Sequence, residues 1–127
     1  MKELEQTIYR YLKARGWDKL RPADLSKSIM IEGAELLELF QWDNLPLEEV
    51  KKNKEKLEEI KKELADVLIY SLEMSVLLGF DTEKIIRAKL ARAVKKYPAK
   101  AMKQRGGAEA GTESGYWKIK KEHRNKK

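Results

Sequence analysis

The chain has 127 residues, 39% of them charged, a net charge of +7 and no cysteine. That length holds one core but not two, and the composition excludes disulfides and thiolate metal sites. No apolar run approaches the roughly 18 residues of a membrane span, and the single histidine, His123, lies in a charged tail.

With three prolines, and with four of the seven glycines beyond residue 105, about a hundred residues carry few helix breakers. An all-α fold is predicted, with a helical domain over residues 1–105 and a flexible basic arm over 106–127. Residues 1–5 do not read as a signal peptide, which predicts a cytoplasmic protein with no membrane partner. The first helix is expected over residues 2–15, with Leu4, Ile8, Tyr11 and Leu12 on one face and Gly16 as its stop. A loop over 17–22 leads to a second helix that opens near Pro22 and runs to about Trp42. Asp43-Asn44-Leu45-Pro46 breaks it. Residues 47–63 interleave six acids with six bases, a solvated helix face leading into a third helix that ends at Gly79. A fourth helix, capped by Asp81 or Thr82, is expected over 83–97, before Pro98.

Two carboxylate pairs stand out against this background. Glu32/Glu35 and Glu63/Asp66 are each spaced i,i+3, so each pair shares a helix face. On a helical wheel of about 100° per residue, Leu25, Leu36 and Leu39 surround Glu32, which places a carboxylate inside an apolar stripe. Asp66 opens a twelve-residue apolar stretch in which Glu73 is the one other charge. An unpaired carboxylate in a core costs several kcal/mol, to order of magnitude, and requires compensation. Four convergent carboxylates suggest a hard divalent cation, and a hard cation suggests phosphate chemistry. The third helix is also apolar around more than half its circumference, from Leu64 to Leu78. Three other helices in a small domain cannot cover such a surface, so a homo-oligomer built on the central helices is expected, a homodimer or homotetramer.

These residues carry a resemblance. Ile29 to Trp42, with Glu32-Gly33-Ala34-Glu35 at its centre, resembles the first metal motif of the MazG-like nucleotide pyrophosphohydrolases, and within them the compact branch related to dCTP pyrophosphatase. Glu63-Leu64-Ala65-Asp66 resembles their second metal motif, and Lys95-Lys96-Tyr97-Pro98 the end of their last core helix. The match extends in family order over residues 15–98. It implies a four-helix MazG-like bundle that oligomerises through its central helices. It also implies Mg²⁺-dependent hydrolysis of a nucleoside triphosphate to monophosphate and pyrophosphate, with Mn²⁺ as an alternative ion.

The same resemblance makes Glu32, Glu35, Glu63 and Asp66 the metal ligands and offers Glu38 for ordering a water. Trp42 occupies a position that stacks on a base in relatives, and Trp17 and Tyr70 flank the same site. Lys89 and Lys96 match basic family positions suited to a triphosphate, and Tyr97 belongs to the closing motif. Three positions depart from the family. Ala93 replaces an asparagine that holds the nucleoside, the 17–22 loop is one residue shorter, and Ile31 stands where larger members carry a further acid. The basic run over 84–105, nine Lys/Arg without an acid, is also compatible with nucleic acid. A nucleic-acid module leaves the core carboxylates unexplained and is the weaker reading; within enzymes, Ala93 and the shorter loop leave open a related pyrophosphohydrolase that acts on another nucleotide pyrophosphate.

Overall fold

The computed structural model describes residues 1–106 and 120–125. Among the described residues all regular structure is helical: α1 (Lys2–Ala14), α2 (Pro22–Glu38), α3 (Leu47–Lys52), α4 (Lys54–Leu77), α5 (Thr82–Lys96) and α6 (Ala99–Gly106), with a further helical stretch over 120–125. The expected all-α architecture is therefore present, its four long helices being α1, α2, α4 and α5. No helix among the described residues is long and apolar enough to cross a membrane. The chain divides into two compact units, Met1–Thr82 and Glu83–Lys127.

In the first unit α4 is the spine. Its most extensive partner is α2, and α1 and α3 pack on it as well. Ile8, Leu12 and Leu25 form the buried apolar centre, with Leu12 fully enclosed. Of the predicted face of α1, Ile8 and Leu12 are buried, whereas Leu4 and Tyr11 remain exposed. Helix α1 closes as a Schellman motif. Trp17 N–H donates to the Leu12 carbonyl at 2.9 Å and Gly16 N–H to that of Lys13 at 3.1 Å. Gly16 takes a φ of +71°, which a residue with a Cβ adopts only at a cost. The C-terminus of α4 repeats the device: Gly79 has φ +73°, Phe80 N–H donates to Ser75, and Gly79 N–H donates to Val76. Nearby, the buried hydroxyls of Ser75 and Thr82 pair at 2.6 Å.

Two boundaries differ from expectation. Helix α2 ends at Glu38 rather than near Trp42. Its last turn tightens into i→i+3 bonds from Leu39, Phe40 and Gln41, and the Lys56 ammonium donates to the Leu39 carbonyl. A cation on the last carbonyls of a helix stabilises that terminus. Lys56 also sits 5.2 Å over the Phe40 ring and 3.9 Å from Asp43, fixing the exit of the chain. The charged stretch is likewise not one helix. It breaks at Asn53, whose side chain accepts from Lys56 N–H at 3.0 Å and caps α4. Around this break the interleaved charges form i,i+3 pairs in solvent, Lys51 with Glu48, Lys52 with Glu49 and Lys61 with Glu58.

The second unit contains α5 beyond Thr82, where Arg87 pairs with Glu83 at 2.9 Å. One side of α5, Ile85, Ile86, Leu90 and Val94, is exposed. Pro98 ends α5 as expected and starts α6, a helix the sequence reading did not include. The first helical hydrogen bond there runs from Met102 N–H to the Pro98 carbonyl. Of the expected basic arm, residues 107–119 and 126–127 lie outside the described residues.

Candidate metal centre

Helices α2 and α4 each contribute carboxylates to one cluster. Glu32, Glu63 and Asp66, all half-buried, bring one oxygen apiece to within 4.8 Å of one another. The two sequence pairs therefore meet across the α2–α4 contact, because residues three apart on each helix face the same neighbour. Glu35, the fourth expected ligand, is exposed and is not among the three whose oxygens converge, but its carboxylate acts on both Glu32 and Glu63. Glu38, one turn further on, is exposed, and its charge is felt at Glu63.

The electrostatics of this cluster are unfavourable as they stand. Burial first, then Glu35, Asp66 and Glu63, push the Glu32 carboxyl above its ordinary value of 4.5. Burial, then Glu35, Asp66 and Glu38, do the same to Glu63. Glu32 Oε2 and Glu63 Oε2 are buried with no hydrogen-bond partner among the described residues. The contrast with the surface is informative. Glu48, Glu49 and Glu58 each find a lysine three residues on, whereas the described residues supply no lysine or arginine partner to Glu32, Glu63 or Asp66. Orphaned buried oxygens in an oxygen-only donor set are what a hard divalent cation satisfies. To ligate one ion the three oxygens would draw closer, since opposite ligands of an octahedral Mg²⁺ lie about 4.2 Å apart and adjacent ones about 3 Å.

A cavity of about 360 Å³ opens beside the cluster, entirely within the first unit. Asp66 belongs to both. The remaining wall comes from Tyr11 of α1, Trp17 and Leu20 of the loop, Asp24, Leu25 and Ser28 of α2, and Ile69, Tyr70 and Glu73 of α4. The Schellman turn at Gly16 delivers Trp17 to this wall, edge-on to Tyr11 at 6.0 Å and 72°. The Tyr70 hydroxyl is pushed up by burial and then by Glu73, Glu32, Tyr11 and Asp66.

The other predicted residues are distributed differently. Trp42 lies beyond the shortened α2, is 89% exposed and does not line the cavity. Lys89, Lys96 and Tyr97 belong to the second unit, where the Lys96 ammonium sits 5.3 Å over the Tyr97 ring. Glu73 was not singled out as a site residue. Its signal was present: it is the lone charge of the apolar stretch, spaced seven from Asp66 and three from Tyr70.

The chain is similar to known proteins. A model of the MazG-like family matches residues 27–107, which contain every carboxylate of the cluster. Among solved structures, the chain is similar to a pyrophosphatase from Archaeoglobus fulgidus DSM 4304, with 36% identity and a TM-score of 0.68. The match covers 77% of this chain and 92% of that one. No curated protein matches the chain.

Proposed function

The chain belongs to the MazG-like family, and from that premise we propose that it is a nucleoside triphosphate pyrophosphohydrolase, releasing monophosphate and pyrophosphate in a Mg²⁺-dependent reaction. The observation that carries the proposal is the carboxylate cluster with two orphaned oxygens, opening on a cavity walled by Trp17, Tyr11 and Tyr70. The pyrophosphatase likeness supports the same reaction class.

In this reading Glu32, Glu63 and Asp66 hold the ion, with Glu35 completing the set from the exposed side. Mg²⁺, or Mn²⁺ in its place, supplies positive charge to the phosphate oxygens and lowers the pKa of a coordinated water. The half-buried carboxylates fix the positions of the negative charge before substrate arrives, so little reorganisation is left for the reaction itself. Glu38 adds charge beside Glu63 and is the candidate for orienting a water. Trp17 and Tyr11 offer ring faces to a base, and Tyr70 reaches toward sugar or phosphate. Lys89, Lys96 and Tyr97 are retained as proposed phosphate-side residues, and Trp42 as a proposed stacking residue, on the family resemblance alone.

The direct test is pyrophosphate release from ribo- and deoxynucleoside triphosphates with Mg²⁺ and with EDTA. Release that EDTA abolishes is expected. Turnover unaffected by chelation would remove the metal centre from the mechanism.

We also propose that the protein self-associates. Met30 (71% exposed), Ile31 (60%) and Leu37 (68%) on α2, with Leu64 (43%) and Leu68 (52%) on α4, leave apolar side chains uncovered on the two helices that carry the cluster. Leu68 lies about 160° around α4 from Asp66, so a substitution there tests association without touching the carboxylates. Wild-type protein is expected to run in light scattering at a multiple of 14.8 kDa, and Leu68→Glu at a lower mass. A wild-type protein that stays monomeric at micromolar concentration would overturn this.

A further inference from the structure

The cavity contains a buried carboxyl that hydrolysis at the carboxylate cluster does not use. Glu73 is 4% exposed, lines the cavity, and makes no hydrogen bond or ion pair with any described residue. Asp66, Tyr70 and Glu73 share one face of α4. The seven residues from Asp66 to Glu73 rise about 10 Å along the helix, room for a sugar and a base ring between a phosphate at the Asp66 end and Glu73. Two aromatic side chains of the same cavity, Tyr11 and Trp17, are suited to the faces of such a ring. A carboxyl group at the edge of that ring then reads its hydrogen-bonding pattern.

Resting on the hydrolase reading above, we infer that Glu73 is a specificity-determining residue that selects nucleotides whose base carries an exocyclic amino group over uracil and thymine nucleotides.

The chemistry follows from the donor inventory. A carboxylate offers acceptors alone, so it accepts from the amino group of cytosine or adenine, or from the adjacent N–H donors of guanine. Uracil and thymine present one N–H between two carbonyl oxygens. A carboxylate that reaches that N–H sets its second oxygen against a carbonyl, two acceptors face to face. Sites built around a buried hydrogen-bonding group discriminate strongly against a ligand that leaves the group unpaired. The ionised carboxylate carries this selectivity: burial raises the Glu73 carboxyl above its ordinary range, and a protonated carboxyl, with a donor beside its acceptor, would pair with uracil as Gln does, so the preference is expected to fade as pH falls.

The test compares wild type with Glu73→Leu and Glu73→Gln in two assays. In the first, CTP and UTP compete for turnover with Mg²⁺. Wild type is expected to favour CTP in kcat/KM by about tenfold or more, and Glu73→Leu to bring the two within about threefold, chiefly by losing CTP. Glu73→Gln offers both an acceptor and a donor, so it gains on UTP. The second assay measures CMP and UMP binding by calorimetry, which needs no hydrolysis. Glu73-dependent preference for CMP in a protein that hydrolyses nothing would uphold the inference and defeat the hydrolase reading. Turnover with a CTP/UTP ratio that Glu73→Leu leaves unchanged, or that wild type does not show, would do the reverse. Glu73→Leu is also expected to raise Tm, because it replaces an unpaired buried carboxyl by an apolar side chain. Should it fail to fold, the gain on UTP in Glu73→Gln decides.

Discussion

Glu63→Gln is expected to lose metal-dependent pyrophosphate release by about 10²- to 10³-fold, the scale of removing one preorganised electrostatic partner of a transition state, and to lose no stability in EDTA. The two halves of this expectation belong together. Gln matches Glu in shape, so packing between α2 and α4 is retained. What disappears is one negative charge from a site where Glu35, Asp66 and Glu38 already oppose it. Removing one of several like charges relieves repulsion, so the metal-free variant should melt at or above the wild-type temperature. Activity and stability then move in opposite directions, the signature of a site held under strain for function. Asp66→Asn should behave alike. A structural ion-pair member would show the contrary pattern, because loss of one partner leaves the other charge buried. Measured kcat/KM within a few-fold of wild type, with a fall in Tm, would assign Glu63 to structure and remove it from the reaction.

The parts of this site that the sequence revealed are those that depend on local spacing. Glu32 and Glu35, or Glu63 and Asp66, share a face wherever their helix goes, so each pair was visible without knowledge of its partner. That the pairs meet is a property of α2 packing on α4, suggested in advance by the apolar surroundings of each pair and by the family resemblance. Most of the interleaved charges over 47–62 face solvent as read, and Lys51, Lys52 and Lys61 pair as that reading requires, whereas Lys56 is largely covered. The break within them falls at Asn53, a residue type that favours helix N-caps, which the charge pattern alone does not mark. The end of α2 could not be read locally. Phe40, Gln41 and Trp42 suit a helix as well as Leu36 and Leu37 do, and the chain leaves the helix where Lys56, seventeen residues later, reaches the Leu39 carbonyl. Trp42 is thereby placed outside the helix on which it was expected. Glu73 marks a different limit. Its isolation in an apolar stretch was legible, but whether an isolated charge faces a cavity or escapes to solvent depends on α1 and the Trp17 loop.

The stability of the protein should respond to metal and pH together, in a sense set by the carboxyls that burial pushes upward. Glu32, Glu63 and Glu73 all have folded pKa values above the ordinary 4.5. For such groups the folded state binds more protons than the unfolded state once pH exceeds the unfolded value. Their contribution is then fully present below about 4.5 and is lost as pH rises through the folded value. In EDTA, Tm should therefore fall as pH is raised from about 4.5 toward neutrality. Glu58, which Lys61 holds below its ordinary value, acts in the opposite sense, but that pair is solvent-exposed and contributes little. Mg²⁺ changes the outcome because it binds the deprotonated cluster, so its affinity grows over the same pH interval. At free ion about a hundred times the dissociation constant, binding to the folded state alone adds about 2.7 kcal/mol, several degrees in Tm for a domain of this size. The expected result is a gap between the Mg²⁺ and EDTA melting curves that is small near pH 4.5 and widens toward pH 7.5. In Glu63→Gln the EDTA curve should decline less and the gap should shrink. Glu73→Leu should flatten the EDTA curve while keeping the gap, since Glu73 lies outside the ion's ligand set. A gap independent of pH, or none at all, would show that the carboxylates of α2 and α4 do not hold the cation.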